Sequence, residues 1–303
     1  MEIKKSAIIG LGAIGAVYGS ALFRRYGKDF SVIADGKRAQ KIKTDGVRLN
    51  GERFDPEVIS PDKTTLPLDL IILCVKNYSL AQAIEDIRPF VTDKTLILPL
   101  LNGVTASEEL QKAFPDNQVF YGLCVYVDAV RSDSGVINQS LGIIRFGNLD
   151  NTKVAPEVQA VQTYLEKAGL VVEVCPDMQL ALWNKWMLNV GCNQVSAVSA
   201  APYAKMTIEP NMVLLHEAML EVVALAKASG IALSEADALL YEERLRTFSP
   251  DGKTSMLQDV EAKRKTEVEY FSGTVIRLGK KFKVPTPVNH VLYYLLKAKE
   301  QMY

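Results

Sequence analysis

One short stretch narrows the fold more than any other. The apolar run Ala7-Ile8-Ile9 leads straight into Gly10-Leu11-Gly12-Ala13-Ile14-Gly15, and a helical pattern follows over residues 14–26. A strand, a turn with glycine at its first, third and sixth positions, and a helix together make the βα unit that cradles a dinucleotide. Gly10 admits the tight turn, Gly12 lets backbone amides approach a pyrophosphate, and Gly15 lets the helix pack close to the sheet. The helix N-terminus adds unpaired amides and a partial positive charge. A glycine turn with no ligand would explain the glycines but not their place between strand and helix. Gly10, Leu11, Gly12, Ala13, Ile14 and Gly15 are therefore expected to hold a cofactor.

The pattern continues in kind. Further strands are expected over residues 30–34, 69–75 and 95–98, with helices over 79–87 and 104–113. The run at 69–75, apolar almost throughout, reads as a central strand buried on both faces. From 118 to 147 the texture turns to short β-runs broken at Asp133-Ser134-Gly135 and at Gly142, expected to be antiparallel strands closing the edge of the sheet. A helix over 156–168 and a last strand over 170–174 follow. Beyond Cys175-Pro176-Asp177 the β-signals stop, and helices are expected over 178–200, 211–229, 234–247, 254–281 and 287–300. The expected architecture is α/β: a Rossmann-like, doubly wound dinucleotide-binding domain over 1–175, then an all-helical substrate and catalytic domain over 176–303.

Composition removes several classes of function. The 303 residues carry 35 Lys plus Arg against 35 Asp plus Glu, so no net field gathers nucleic acid or an anionic membrane. Cys74, Cys124, Cys175 and Cys192 form no CxxC pair and read as thiols of a reducing compartment. His216 and His290 have no ligand-like neighbours at helical spacing, so no metal site is expected. No apolar run approaches the roughly 18 residues of a membrane span, and the N-terminus lacks a signal-peptide pattern. A cytoplasmic protein is expected, with oligomeric state open and a homodimer allowed.

Residues at strand ends define the expected cofactor face. Asp35 ends the second strand, where a carboxylate would accept from a ribose 2′-hydroxyl and select NAD; Lys37 and Arg38 follow at once and could hold the 2′-phosphate of NADP. Lys76 and Asn102 end two further strands. Asn102 offers both a donor and an acceptor, although Asn-Gly is also a common turn.

In the second half, LWNKWMLNVGCN at 182–193 places Lys185, Asn189 and Asn193 four residues apart on a helix otherwise rich in Trp, Met and Leu. Such groups cost several kcal/mol when buried without partners. They form either an internal network or the wall of a site for a polar substrate. Burial would also lower a lysine pKa toward a range suited to proton donation. Ser255 heads the next candidate segment, as an N-cap or a carboxylate contact. Glu267, twelve residues on, would lie about 18 Å away in an unbroken helix.

Taken together, these segments resemble the ketopantoate reductase (2-dehydropantoate 2-reductase) family over essentially the whole chain. The resembling pieces are GLGAIG at 10–15, Val75-Lys76, the LNGV after Pro99, LWNKWMLNVGCN, and TSMLQDVEAKRKTEVEY at 254–270. The resemblance implies Lys185 as proton donor, and Asn189, Asn193 and Ser255 as substrate contacts. It implies Glu267 at the active site near the cofactor, Asn102 touching both ligands, and Lys76 on the cofactor side. It further implies NADPH as reductant and a step toward pantothenate. Two positions depart from the family pattern: Asp35 stands where an arginine often reads the 2′-phosphate, and Tyr203 where a smaller polar residue often faces the substrate.

The expected reaction is reduction of the C2 ketone of a small 2-oxo acid in an interdomain cleft. The alternatives are a sister reductase of another branched or hydroxylated 2-oxo acid and a non-catalytic dinucleotide sensor. An opine-type dehydrogenase would need a general-base histidine.

Overall fold

The computed structural model describes residues 2–62, 66–132 and 134–303. The chain forms two compact units, Met1–Met178 and Gln179–Tyr303.

The first unit opens with β1 (Ser6–Ile9), α1 (Ala13–Tyr26), β2 (Phe30–Ile33) and α2 (Gly36–Asp45). Three short strands follow, β3 (Val47–Leu49), β4 (Glu52–Phe54) and β5 (Glu57–Ile59). Then come β6 (Leu70–Leu73), α3 (Leu80–Ile87), β7 (Leu96–Pro99) and α4 (Ala106–Ala113). The unit closes with β8 (Tyr121–Val125), β9 (Asp128–Ser132), β10 (Gly135–Ser140), β11 (Ile143–Gly147), α5 (Pro156–Lys167) and β12 (Val171–Val174).

The main sheet has the order β5-β2-β1-β6-β7, all parallel. Strands β1, β2, β6 and β7 are buried throughout, while the edge strand β5 is partly exposed. Ile8, Val32, Leu70, Ile72 and Leu98 point into the core shared with α1, while Ala7, Ile9, Ile33, Ile71 and Ile97 point into the core shared with α3 and α4. This alternation is the doubly wound arrangement the sequence indicates. The wound order brings the C-terminal ends of β2, β1, β6 and β7 to one edge.

The strands between 118 and 147 depart from expectation. They do not close the edge of the main sheet but build two others, β4-β3-β10-β9 and β12-β11-β8. Beyond β7 the main sheet gains a single bridge, Ile97 to Val119, before the chain turns away. Period-2 patterning fixes which face a residue takes and not which strand it pairs with. Strands β3 to β5 were not anticipated, because three residues are too few to show a period. Of the expected break at 133–135, Asp133 lies outside the described residues.

The second unit contains α6 (Met178–Leu188), whose first residue falls at the boundary, α7 (Gln194–Ser199), α8 (Tyr203–Met206), α9 (Glu209–Ala228) and α10 (Glu235–Leu245). It ends with α11 (Ser255–Glu261), α12 (Ser272–Phe282) and α13 (Pro287–Gln301). Two expected helices are not continuous. Between α6 and α7 the backbone takes one π-turn, Asn189–Asn193. The helix expected over 254–281 breaks after Glu261. Lys263 adopts φ 52°, the Arg264 amide returns to the Asp259 carbonyl at 2.8 Å, and Glu300 takes both the amide and the hydroxyl of Thr266 at 2.8 and 2.6 Å. Side-chain partners for backbone amides here outcompete the helix. No described helix is long and apolar enough to cross a membrane.

Candidate active site

At the C-terminal edge of the main sheet, Gly10 adopts φ +96° between β1 and β6. A methyl group there would stand 2.7 Å from the Cys74 carbonyl. A Cβ on Gly15 would fall 1.9 Å from the Gly10 carbonyl oxygen. Both glycines are therefore demanded by close backbone approach. Gly12 differs: a Cβ on it would meet nothing within 4 Å, and it heads α1 with no side-chain cap and no acidic residue in the first turn. The open space over Gly12 and the uncapped amides beyond it fit an anionic diphosphate.

The neighbouring strand ends frame this turn. Lys76 and Asn102 follow β6 and β7, each half-buried, and the buried Asn77 side chain donates to the Asn102 carbonyl at 2.8 Å. Gly103 then turns the chain with φ +89°. Asp35 heads α2, and the Ser60 hydroxyl stands 3.1 Å from its Oδ1 and 2.9 Å from Asp62 Oδ1, one proton facing two carboxylates.

Arg131, on β9, reaches across to donate to the Leu11 carbonyl at 3.0 Å. Its charge is also felt by Arg38: desolvation and then the Arg131 guanidinium lower the Arg38 pKa. Two guanidiniums close to each other repel unless a negative group joins them. No local spacing pointed to Arg131, which lies 120 residues from Leu11.

In the second unit, the polar stripe is held by apolar neighbours. Trp186 and Met187 are fully buried. The Trp183 and Trp186 rings meet edge-on at 5.2 Å, and the Trp186 indole donates to the Tyr270 carbonyl at 3.0 Å. That bond ties the helix of Lys185 to the turn just after Glu267. Lys185 is half-buried, and Asn189 and Asn193 are buried.

The π-turn alters the helical geometry. Four residues of α-helix advance about 40° beyond a full turn, whereas a π-turn winds less per residue and so cancels part of that drift between Asn189 and Asn193. The Asn193 amide accordingly lies 3.4 Å from Asn189 Oδ1 and 3.4 Å from the Ser255 hydroxyl. Both are long hydrogen bonds. The Asn189 Nδ2, although buried, has no hydrogen-bond partner. Gly191 lets α9 pack close against the turn: a Cβ there would lie 2.6 Å from Met219 Cγ and 3.0 Å from the Leu215 carbonyl on α9.

Ser255 is the first residue of α11 and exposed, while Thr254 provides the N-cap through its bond from the Leu257 amide. Glu267 is 3% exposed. Because the chain leaves the helix after Glu261, the separation of about 18 Å expected for an unbroken helix does not apply.

The four cysteines are free, and burial pushes the Cys192 thiol up to about 12, which suppresses the nucleophilic thiolate. His216 lies 2.5 Å from Glu242, and His290 is exposed on α13.

Two family profiles match the chain: ketopantoate reductase PanE/ApbA over residues 6–151, and its C-terminal part over 177–300. An uncharacterized oxidoreductase of Bacillus subtilis, YkpB, is 27% identical over 99% of this chain and 98% of its own. A 2-dehydropantoate 2-reductase of Archaeoglobus fulgidus is 25% identical over 99% of both chains. Among solved structures, a 2-dehydropantoate 2-reductase from Methylococcus capsulatus superposes with TM-score 0.84 at 27% identity, covering 98% of this chain and 97% of that one. A D-mandelate dehydrogenase with NADH gives TM-score 0.88 at 25% identity, covering 98% and 99%. The chain is an oxidoreductase that belongs to the ketopantoate reductase family.

Proposed function

We propose that this protein reduces the C2 ketone of 2-dehydropantoate to pantoate with NADPH, residues 1–175 holding the cofactor and 176–303 the oxo acid. The observation that carries this reading is the unpartnered Nδ2 of Asn189, buried on the stripe that also bears Lys185 and Asn193. A buried amide donor left unpaired costs about 1–3 kcal/mol, and a polar substrate removes that cost.

When bound, the reduced nicotinamide supplies hydride to C2. Lys185 stabilises the negative charge that grows on the ketone oxygen and gives that oxygen its proton. Asn189 and Asn193 grip the substrate hydroxyl and neighbouring oxygens, and the Ser255 hydroxyl donates to the carboxylate. Asn102 touches both ligands, while Lys76 and Glu267 serve the cofactor side, Glu267 at the reacting end. Buried amides that read a hydroxyl reject analogues without one far better than an apolar wall does. The product is a precursor of pantothenate.

Asn189→Ala tests the substrate assignment. The KM for 2-dehydropantoate should rise about 10- to 100-fold, the loss of one buried hydrogen bond to substrate, with the NADPH dissociation constant unchanged. An unaltered KM refutes it.

The choice of NADPH rests on Arg38 and Arg131, whose paired charges suit a 2′-phosphate. Arg38→Ala should weaken NADPH by about tenfold and NADH by less than about twofold, as expected for one charge-assisted contact. Equal effects on both would instead support a second reading, which Asp35 and the NADH-bound mandelate dehydrogenase favour: an NADH-dependent reductase of another 2-oxo acid.

A further inference from the structure

Beneath the Asn189–Asn193 turn lies a polar network in which Gln194, Ser272 and Asn289 are fully buried. The Gln194 Nε2 donates to the Val190 carbonyl, inside the π-turn, at 2.7 Å and to Asn289 Oδ1 at 3.2 Å. Its Oε1 accepts the Ser272 amide at 3.1 Å. These partners fix the orientation of the side-chain amide, because a backbone N–H only donates and a carbonyl only accepts.

The next layer is equally determined. Asn289 Oδ1 also accepts the Ser272 hydroxyl at 2.9 Å, and its Nδ2 donates to the Ala218 carbonyl at 3.1 Å and to Glu221 Oε2 at 2.7 Å. The Glu221 carboxylate in turn takes the Val288 and Asn289 amides at the start of α13, at 2.7 and 3.0 Å. Gln194 thus ties the π-turn to the first residue of α12 and, through Asn289, to α9 and α13. A fully satisfied buried network specifies one arrangement of the elements it joins. A π-turn, rare and less regular than α-helix, needs such a determinant to persist.

We propose that Gln194 is a positioning residue for substrate: it holds the π-turn in the one register that aims Asn189 and Asn193 at the oxo acid. This rests on the reading that those two amides bind substrate. Gln194 makes no substrate contact itself and acts through the Val190 carbonyl.

Gln194→Met keeps length and volume but removes both donors and the acceptor. The expected result is a rise of about tenfold or more in KM for 2-dehydropantoate, with kcat within about threefold and the NADPH dissociation constant unchanged, the signature of lost ground-state binding. A merely structural role would reduce the amount of active protein and leave KM alone. Gln194→Glu supplies an independent readout should the methionine variant fail to fold. Its ionised carboxylate still accepts the Ser272 amide but has nothing to donate to Val190, and protonation restores one donor. Its KM relative to wild type should therefore fall as pH is lowered. A folded Gln194→Met with KM within about twofold of wild type, or a Gln194→Glu ratio that is flat with pH, overturns the proposal. If Asn189→Ala raises KM while Gln194→Met does not, the substrate reading stands and this one falls. If Asn189→Ala leaves KM unchanged, both fall.

Discussion

Lys185→Ala is expected to lower kcat for 2-oxo acid reduction by about a hundredfold or more, the usual contribution of a positioned general acid. The cofactor dissociation constant, followed by nicotinamide fluorescence, should barely move. The stripe stands on α6, which the Trp186 bond to the Tyr270 carbonyl anchors in place, so removing the ammonium leaves the helix where it is. What disappears is the one cation on the stripe that can meet charge developing on a ketone oxygen. Lys185→Arg separates charge from proton transfer, since a guanidinium stabilises an oxyanion but does not release a proton near neutral pH. It should recover part of the binding and little of the rate. If Lys185→Ala turns over at nearly the wild-type rate, the acid lies elsewhere.

The second large effect comes from the glycine turn, where two substitutions of the same size should act differently. Gly15→Ala places a methyl group 1.9 Å from the Gly10 carbonyl oxygen and 3.2 Å from Cys74 Cβ. Backbone stands in the way, so the turn between β1 and α1 must open. Overpacking of this kind costs about 1–3 kcal/mol, and each kcal/mol lowers Tm by about 2–4 °C in a chain of this size. Gly12→Ala meets nothing within 4 Å and should leave Tm unchanged. On the proposed reading it should nonetheless weaken NADPH binding, because the added methyl would occupy the space assigned to the diphosphate. Calorimetry of the free protein combined with cofactor titration separates the two. A Gly12→Ala protein that binds NADPH normally would mean that the diphosphate lies elsewhere.

Much of this molecule was legible in the sequence for local reasons. The residues of β6 are apolar throughout because they face a core on either side. The glycines at 10 and 15 are forced by approaches within a few residues of chain or to the next parallel strand. Lys185, Asn189 and Asn193 stood out as polar groups among tryptophan, methionine and leucine, and the last two are indeed buried.

What escaped is non-local. The stretch Asn189–Asn193 has no residue that marks a π-turn; Gly191 matters only because Met219 packs against it. The break after Glu261 depends on Glu300, 34 residues beyond Thr266. The short strands of the outer sheets show no pairing preference until their partners are known, and β3 meets β10 from 87 residues away. Arg131 reaches the glycine turn from β9, and Gln194 finds Ser272 and Asn289 78 and 95 residues away. Periodicity records which side of an element faces the core, and it carries no information on what waits there.

Absorbance at the nicotinamide band, with 2-dehydropantoate added to protein and NADPH, tests the central claim most directly. The expected result is stoichiometric loss of NADPH with appearance of pantoate, fast with the wild type and nearly abolished in Lys185→Ala. No oxidation of either NADPH or NADH with 2-dehydropantoate or any of a panel of 2-oxo acids would contradict it.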